Sequence, residues 1–148
     1  MATSIWDKLR AGAVTRSADE SQALAEAAGR ALPPDTILAL HGPMGVGKTT
    51  WVQGLARGLG VTEPVTSPTF TLFNVHRGAR ARLVHLDAYR LGDEHELDAL
   101  MLEDFLVTPW VLAIEWPERI AGWIPTSAWH FDLAICPDQT HRVQLRRQ

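Results

Sequence analysis

The segment Gly42-Pro43-Met44-Gly45-Val46-Gly47-Lys48-Thr49 fits the pattern G-x-x-x-x-G-K-[ST] at every fixed position. Each fixed residue has a physical task. The glycines let the loop curl until successive backbone N–H groups point inward as an anion nest. A helix starting at Lys48 adds the positive end of its dipole. A lysine here reaches the β- and γ-phosphates of a nucleotide, and the Thr49 hydroxyl ligates Mg²⁺. In a chain of 148 residues a chance match has a probability of roughly 0.5%, so the segment is read as a phosphate-binding loop. Lys48 is one of only two lysines, the other being Lys8, against twelve arginines.

Magnesium takes oxygen ligands in octahedral geometry, so such a loop needs an acid at the end of a neighbouring buried strand. Leu83-Val84-His85-Leu86-Asp87 and Trp110-Val111-Leu112-Ala113-Ile114-Glu115 both end in one. Spacing does not say which acid holds the metal and which orients water or senses the γ-phosphate. Thr66-Ser67-Pro68-Thr69-Phe70 combines hydroxyls with a rigid proline, the chemistry of a switch that reads a γ-phosphate. Trp116 follows Glu115 and is placed to stack near a nucleotide or to serve a partner surface. Arg90 and Arg119 are candidate phosphate cations, with surface ion pairs as the commoner use. Arg77, Arg80 and Arg82 form one basic cluster, and Arg142, Arg146 and Arg147 another. A solvated strand end is the plain reading of both, and contact with RNA or a partner is the sharper one.

The elements that must position these residues follow from periodicity. Residues 17–32 read as an amphipathic helix, with Ser17 as cap, Glu20 completing a capping box, and Pro33-Pro34 ending it. Its apolar face comprises Leu24, Ala27, Ala28, Ala31 and Leu32. Thr36–Leu40 is a buried strand leading into the loop, and a helix runs from Lys48 to about Arg57. Residues 69–76 are extended, Leu83–Asp87 is the next strand, and 93–106 forms one or two short helices. Trp110–Ile114 is another apolar strand. Near the end, 129–135 and 142–146 alternate as an antiparallel hairpin with one wet face. The sum is an α/β fold with a mixed, partly antiparallel sheet. No repeat or linker divides the chain, so residues 1–148 are read as one domain, with 1–16 as a loosely ordered extension.

Composition excludes several classes. Hydrophobic residues make up 46% and charged residues 21%, and the net charge is −3, so bulk electrostatic binding of nucleic acid is excluded. The single Cys136 excludes an internal disulfide and a multi-cysteine zinc site. The histidines have no metal spacing. No stretch approaches the ~20 apolar residues of a membrane span, and the opening residues lack the apolar run of a signal peptide. A reducing cytoplasm is the expected location.

Four segments then line up in order: GPMGVGKTT (42–50), TSPTFTL (66–72), HLDAYRL (85–91) and IEWPERI (114–120). Together they closely resemble the bacterial TsaE (YjeE) family, the ATPase component of tRNA threonylcarbamoyladenosine biosynthesis. The resemblance extends over about residues 17–146 and includes the acidic stretch Glu94–Leu106. It implies a P-loop NTPase-like, three-layer α/β domain that binds ATP and Mg²⁺. Lys48 and the loop through Pro43, Met44, Gly45, Val46, Gly47, Thr49 and Thr50 would hold the phosphates. Thr49 and Glu115 would be the magnesium ligands, and Lys48, Asp87 and Glu115 the catalytic groups. Thr66, Ser67 and Thr69 would form the switch-like loop, with Trp116 and Arg142 near the nucleotide. The implied partners are TsaB and TsaD, a threonylcarbamoyl transferase complex whose turnover ATP hydrolysis supports, with tRNA engaged through them. Two places depart from the family pattern. Met101 stands where a glycine is expected, and Val75-His76 replaces a more typical acidic–aromatic pair. A small-molecule kinase is the alternative enzyme, although little room exists for an acceptor-binding insert. A nucleotide-switched binding module is the alternative without catalysis.

Overall fold

The computed structural model describes residues 4–68 and 72–146. Its seven strands form one sheet in the order β1-β7-β6-β2-β5-β4-β3. They are β1 (Ala13–Thr15), β2 (Thr36–His41), β3 (Phe73–His76), β4 (Arg82–Asp87), β5 (Trp110–Glu115), β6 (Trp129–Ile135) and β7 (His141–Leu145). The central pairs β4–β5, β5–β2 and β2–β6 are parallel, and β3, β7 and β1 add antiparallel edges. The register places Leu40 opposite Glu115 and Glu115 opposite Asp87, so β2, β5 and β4 end at one rim of the sheet.

Side chains alternate between the two sheet faces. One face, carrying Leu38, Leu40, Val111, Leu83, Phe131 and Val143, packs under α1 (Ile5–Ala11), α2 (Ala18–Ala31) and α3 (Lys48–Gly58). The other, carrying Val84, Leu86, Leu112 and Ile114, is covered by α4 (Glu94–Ala99) and two 3-10 turns, Leu102–Phe105 and Pro117–Ile120. This is the expected three-layer α/β architecture with a mixed sheet.

The opening residues differ from expectation. Residues 4–16 are built into the fold rather than loosely ordered. Ser4 caps α1 by accepting the Asp7 N–H, Leu9 is fully buried, and β1 pairs antiparallel with β7. An apolar side chain every few residues and a sheet edge needing a partner are enough to order this stretch.

The contact between α2 and α3 is unusually close, and its buried residues are Ala25, Ala28 and Gly29 on α2 and Gly54 and Gly58 on α3. A Cβ at Gly29 would lie 2.6 Å from the Leu55 carbonyl oxygen, and one at Gly58 would collide with the Glu26 carbonyl. The buried stripe of α2 is therefore rotated from the Leu24-centred face read from periodicity, because only its smallest residues fit the crossing. The cap of α2 is also altered. Ser17 Oγ accepts the Glu20 N–H at 3.1 Å, but the Glu20 carboxylate takes the Arg16 N–H at 2.6 Å instead of that of Ser17.

Between α4 and the turn that follows, Met101 adopts φ 54°, a left-handed conformation where a Cβ is penalised. This gives a physical reason for a glycine in the family pattern. Met101→Gly is expected to raise unfolding stability by about 1 kcal/mol in urea denaturation. Gly58→Ala, inserting a methyl into the α2–α3 crossing, should lower it by about 2 kcal/mol in the same measurement.

Candidate functional site

The loop between β2 and α3 meets the demands of an anion nest locally. Gly45 (φ 80°) and Gly47 (φ 101°) adopt the left-handed region that glycine tolerates. Gly47 occupies the N-cap of α3 without a side-chain acceptor, so the helix's first N–H groups are left for a ligand. Pro43 and Val46 shape the loop: the Val46 N–H donates to the Pro43 carbonyl, and the Val46 side chain is buried.

Lys48 is 5% exposed. Its Nζ donates to the Gly42 carbonyl at 2.8 Å and sits 3.6 Å above the centre of the Trp116 ring. Burial pushes the ammonium pKa below that of an ordinary lysine, and the Glu115, Glu118 and Asp87 carboxylates oppose the shift. Trp116 reaches this position through a left-handed backbone (φ 59°), a conformation that costs a bulky residue about 1–3 kcal/mol. The contact with Lys48 repays part of that cost, as a desolvated cation–π pair can.

The Thr49 hydroxyl lies 2.8 Å from Ser67 Oγ and donates to Glu115 Oε2 at 3.4 Å. Glu115, also 5% exposed, accepts from His85 Nε2 at 2.5 Å. Asp87 lies opposite Glu115 on the next strand, its Oδ1 taking the Tyr89 N–H at 3.0 Å. Tyr89 packs 5.0 Å from Trp116, and the Arg119 guanidinium sits over Tyr89. These groups surround a cleft of about 390 Å³ lined also by Met44, Gly45, Gly47 and Thr50. Among the described residues lining it, Lys48 is the one cation. The donor set of Thr49 and Ser67 hydroxyls with one carboxylate is all hard oxygen, which suits Mg²⁺ retaining several waters. Among the described residues no group of three or more His, Cys, Asp or Glu side chains is arranged to hold a metal.

A second hollow of about 150 Å³ adjoins the cleft and shares Gly47 and Thr50 with it. Its walls include Thr15, Arg16, Ser17, Gln139 and His141, and His141 Nδ1 donates to the Val46 carbonyl at 2.9 Å. Arg142 borders this hollow, but strand alternation sends its side chain to the face opposite His141 and Val143, and its guanidinium lies against Gly12.

The structure thus brings together Lys48, Thr49, Thr50, Ser67, Asp87, Glu115 and Trp116 from the sequence reading. Thr69 lies outside the described residues. The basic clusters are largely engaged elsewhere: Arg80 and Arg82 donate to the Arg30 and Phe105 carbonyls, and Arg146 forms a bidentate pair with Asp132. Sequence reasoning missed His85, Tyr89 and His141 as site neighbours. For His85 one signal was visible, since it shares a strand face with Asp87. The adjacency of β4 and β5 that puts it beside Glu115 was not.

Fold and loop together define a P-loop NTPase-like α/β protein. The family model described as "Threonylcarbamoyl adenosine biosynthesis protein TsaE" matches residues 15–144, and the chain belongs to this TsaE family, which takes part in tRNA threonylcarbamoyladenosine biosynthesis. Curated relatives agree. The tRNA threonylcarbamoyladenosine biosynthesis protein TsaE of Treponema pallidum is 35% identical over 132 residues, covering 89% of this chain and 97% of the relative. The protein of that name from Nostoc sp. is 46% identical over 95 residues, covering 62% of this chain and 59% of its own length. The crystal structure of Bacillus subtilus YdiB superposes with a TM-score of 0.75 at 26% identity, covering 89% of this chain and 81% of that one. Among the described residues no helix is long and apolar enough to cross a membrane.

Because the folded environment disfavours the Lys48 charge on balance, an apolar replacement should not cost stability. Lys48→Met is expected to melt at or above the wild-type temperature. The sign with pH follows from the lowered pKa. The unfolded chain holds the Lys48 proton to higher pH than the folded one, so wild-type stability rises as pH climbs from the folded to the unfolded value. In Lys48→Met this increment should vanish from thermal melts recorded across alkaline pH.

Proposed function

We propose that the chain binds ATP with Mg²⁺ and hydrolyses the β–γ phosphoanhydride bond. In this reading it is the cytoplasmic ATPase component of the threonylcarbamoyladenosine machinery, supporting turnover of a TsaB–TsaD-type transferase complex and meeting tRNA through it. The observation that carries the reading is the convergence of Lys48, Thr49, Asp87 and Glu115 on one cleft beside uncapped helix N–H groups. Family membership supports it.

The chain's own residues divide the work. The N–H groups of residues 45–50 and the Lys48 ammonium bind the phosphate oxygens and stabilise charge as the bond breaks. Lys48 leaves the Gly42 carbonyl and the Trp116 ring to do so. Thr49 and Glu115 would hold the magnesium, which when bound would neutralise charge on the phosphates. Asp87, at the end of β4 beside Glu115, would accept a hydrogen bond from the attacking water. The neighbouring hollow between β7, the loop and the start of α2 accommodates the rest of the nucleotide. Charge stabilisation from a second cation is missing from the described lining of the cleft, so the isolated chain hydrolyses slowly and partners accelerate it.

Phosphate release measured with wild type, Lys48→Ala and Glu115→Ala tests this. Wild-type release should be slow, faster with the transferase complex and tRNA, and reduced about 100-fold or more by either substitution. Equal release from all three with partners present would leave a binding module. Phosphate transferred to a nucleoside or metabolite instead of water would make the chain a kinase.

A further inference from the structure

His85 does not line the cleft, yet the geometry gives it a part in the chemistry there. We propose that His85 is a positioning residue for the magnesium site, acting through Glu115. The proposal rests on the reading of Glu115 as a magnesium ligand.

Glu115 is nearly buried at the end of β5, and a buried carboxylate must be hydrogen-bonded. Its Oε2 lies 2.5 Å from His85 Nε2 on β4 and 3.4 Å from Thr49 Oγ1. An ionised carboxylate only accepts, so His85 donates its Nε2–H. That proton is present in the neutral Nε2 tautomer and in the imidazolium alike. His85 is fully buried in a strand whose other fully buried residues, Leu83, Val84 and Leu86, are all apolar. Its Nδ1 is buried without a hydrogen-bond partner among the described residues. A leucine would suit that setting at lower desolvation cost, so packing alone does not account for the histidine. What the imidazole adds is a rigid donor fixed by sheet register, His85 facing Ala113 one pleat from Glu115. It holds the carboxylate against one rotation beside the Thr49 hydroxyl, before any cation arrives. Hydrogen bonds of this kind to metal-ligating carboxylates orient them, and their loss typically weakens metal binding about 10–100-fold.

Calorimetric titration of ADP and a non-hydrolysable ATP analogue, in EDTA and across magnesium concentrations, tests this. His85→Leu should leave affinity in EDTA within about threefold while raising the magnesium concentration for half-maximal tightening about 10–100-fold. His85→Gln keeps a donor of similar reach and should stay near wild type. If His85→Leu does not fold, His85→Asn takes its place, its shorter amide held back from Glu115. On the wild-type protein, nitrogen-15 spectra of the imidazole should show a protonated Nε2. A folded His85→Leu or His85→Asn with the wild-type magnesium midpoint, or an unprotonated Nε2, overturns the proposal. Failure of the wild type to bind either nucleotide would instead overturn the ATP reading on which it stands.

Discussion

An ammonium group on a nearly buried side chain must find compensation close by, and the surroundings of Lys48 are organised around that requirement. The Gly42 carbonyl, the face of Trp116 and three carboxylates at the sheet rim all act on one charge. They come from four separate stretches of the chain. The carbonyl belongs to the loop after β2, the ring to the turn after β5, and the carboxylates to the ends of β4 and β5 and the turn containing Glu118. They meet because parallel strands in this order end at a common rim. The strained backbone of Trp116 and the left-handed glycines of the loop are consequences of bringing them within reach.

The two acids that spacing alone could not rank, Asp87 and Glu115, are register partners on adjacent strands, but they sit in different surroundings. Glu115 is sunk beside Thr49 and His85, whereas Asp87 sits further out and turns to a backbone N–H two residues on. Burial with fixed donors suits a group that must hold one orientation. A more exposed carboxylate suits one that exchanges hydrogen bonds with water. This difference of environment supports the proposed division of roles between the two residues.

Much of the site was legible in the linear sequence, for a physical reason. The loop's requirements are local: glycines for positive φ, a helix start, a lysine and a hydroxyl at fixed offsets. Strands ending in Asp87 and Glu115 were equally visible as apolar runs closed by an acid. What could not be read depended on neighbours distant in sequence. His85 meets Glu115 only because β4 pairs with β5. Strand alternation, which turns the Arg142 side chain away from His141 and Val143 and against Gly12, likewise could not be read from its place in the tail cluster. The order of residues 4–16 depended on a free edge of β7, and the buried stripe of α2 on how closely α3 approaches. Met101 shows the reverse case, where a departure from the family pattern falls at a backbone conformation that explains the pattern.

The glycine-lined crossing of α2 and α3 also bears on how the molecule can deform. Where two helices meet backbone to backbone, sliding or rotation brings carbonyl groups into collision within a fraction of an ångström. α3, which carries Lys48 and Thr49 at its head, is therefore a fixed post. Any rearrangement during a working cycle has to come from the opposite bank of the cleft. That bank comprises the chain around Ser67 and the turns bearing Tyr89 and Trp116. On the proposed reading, the half of the cleft carried by α3 is the stator, and the half bearing Ser67, Tyr89 and Trp116 is the rotor.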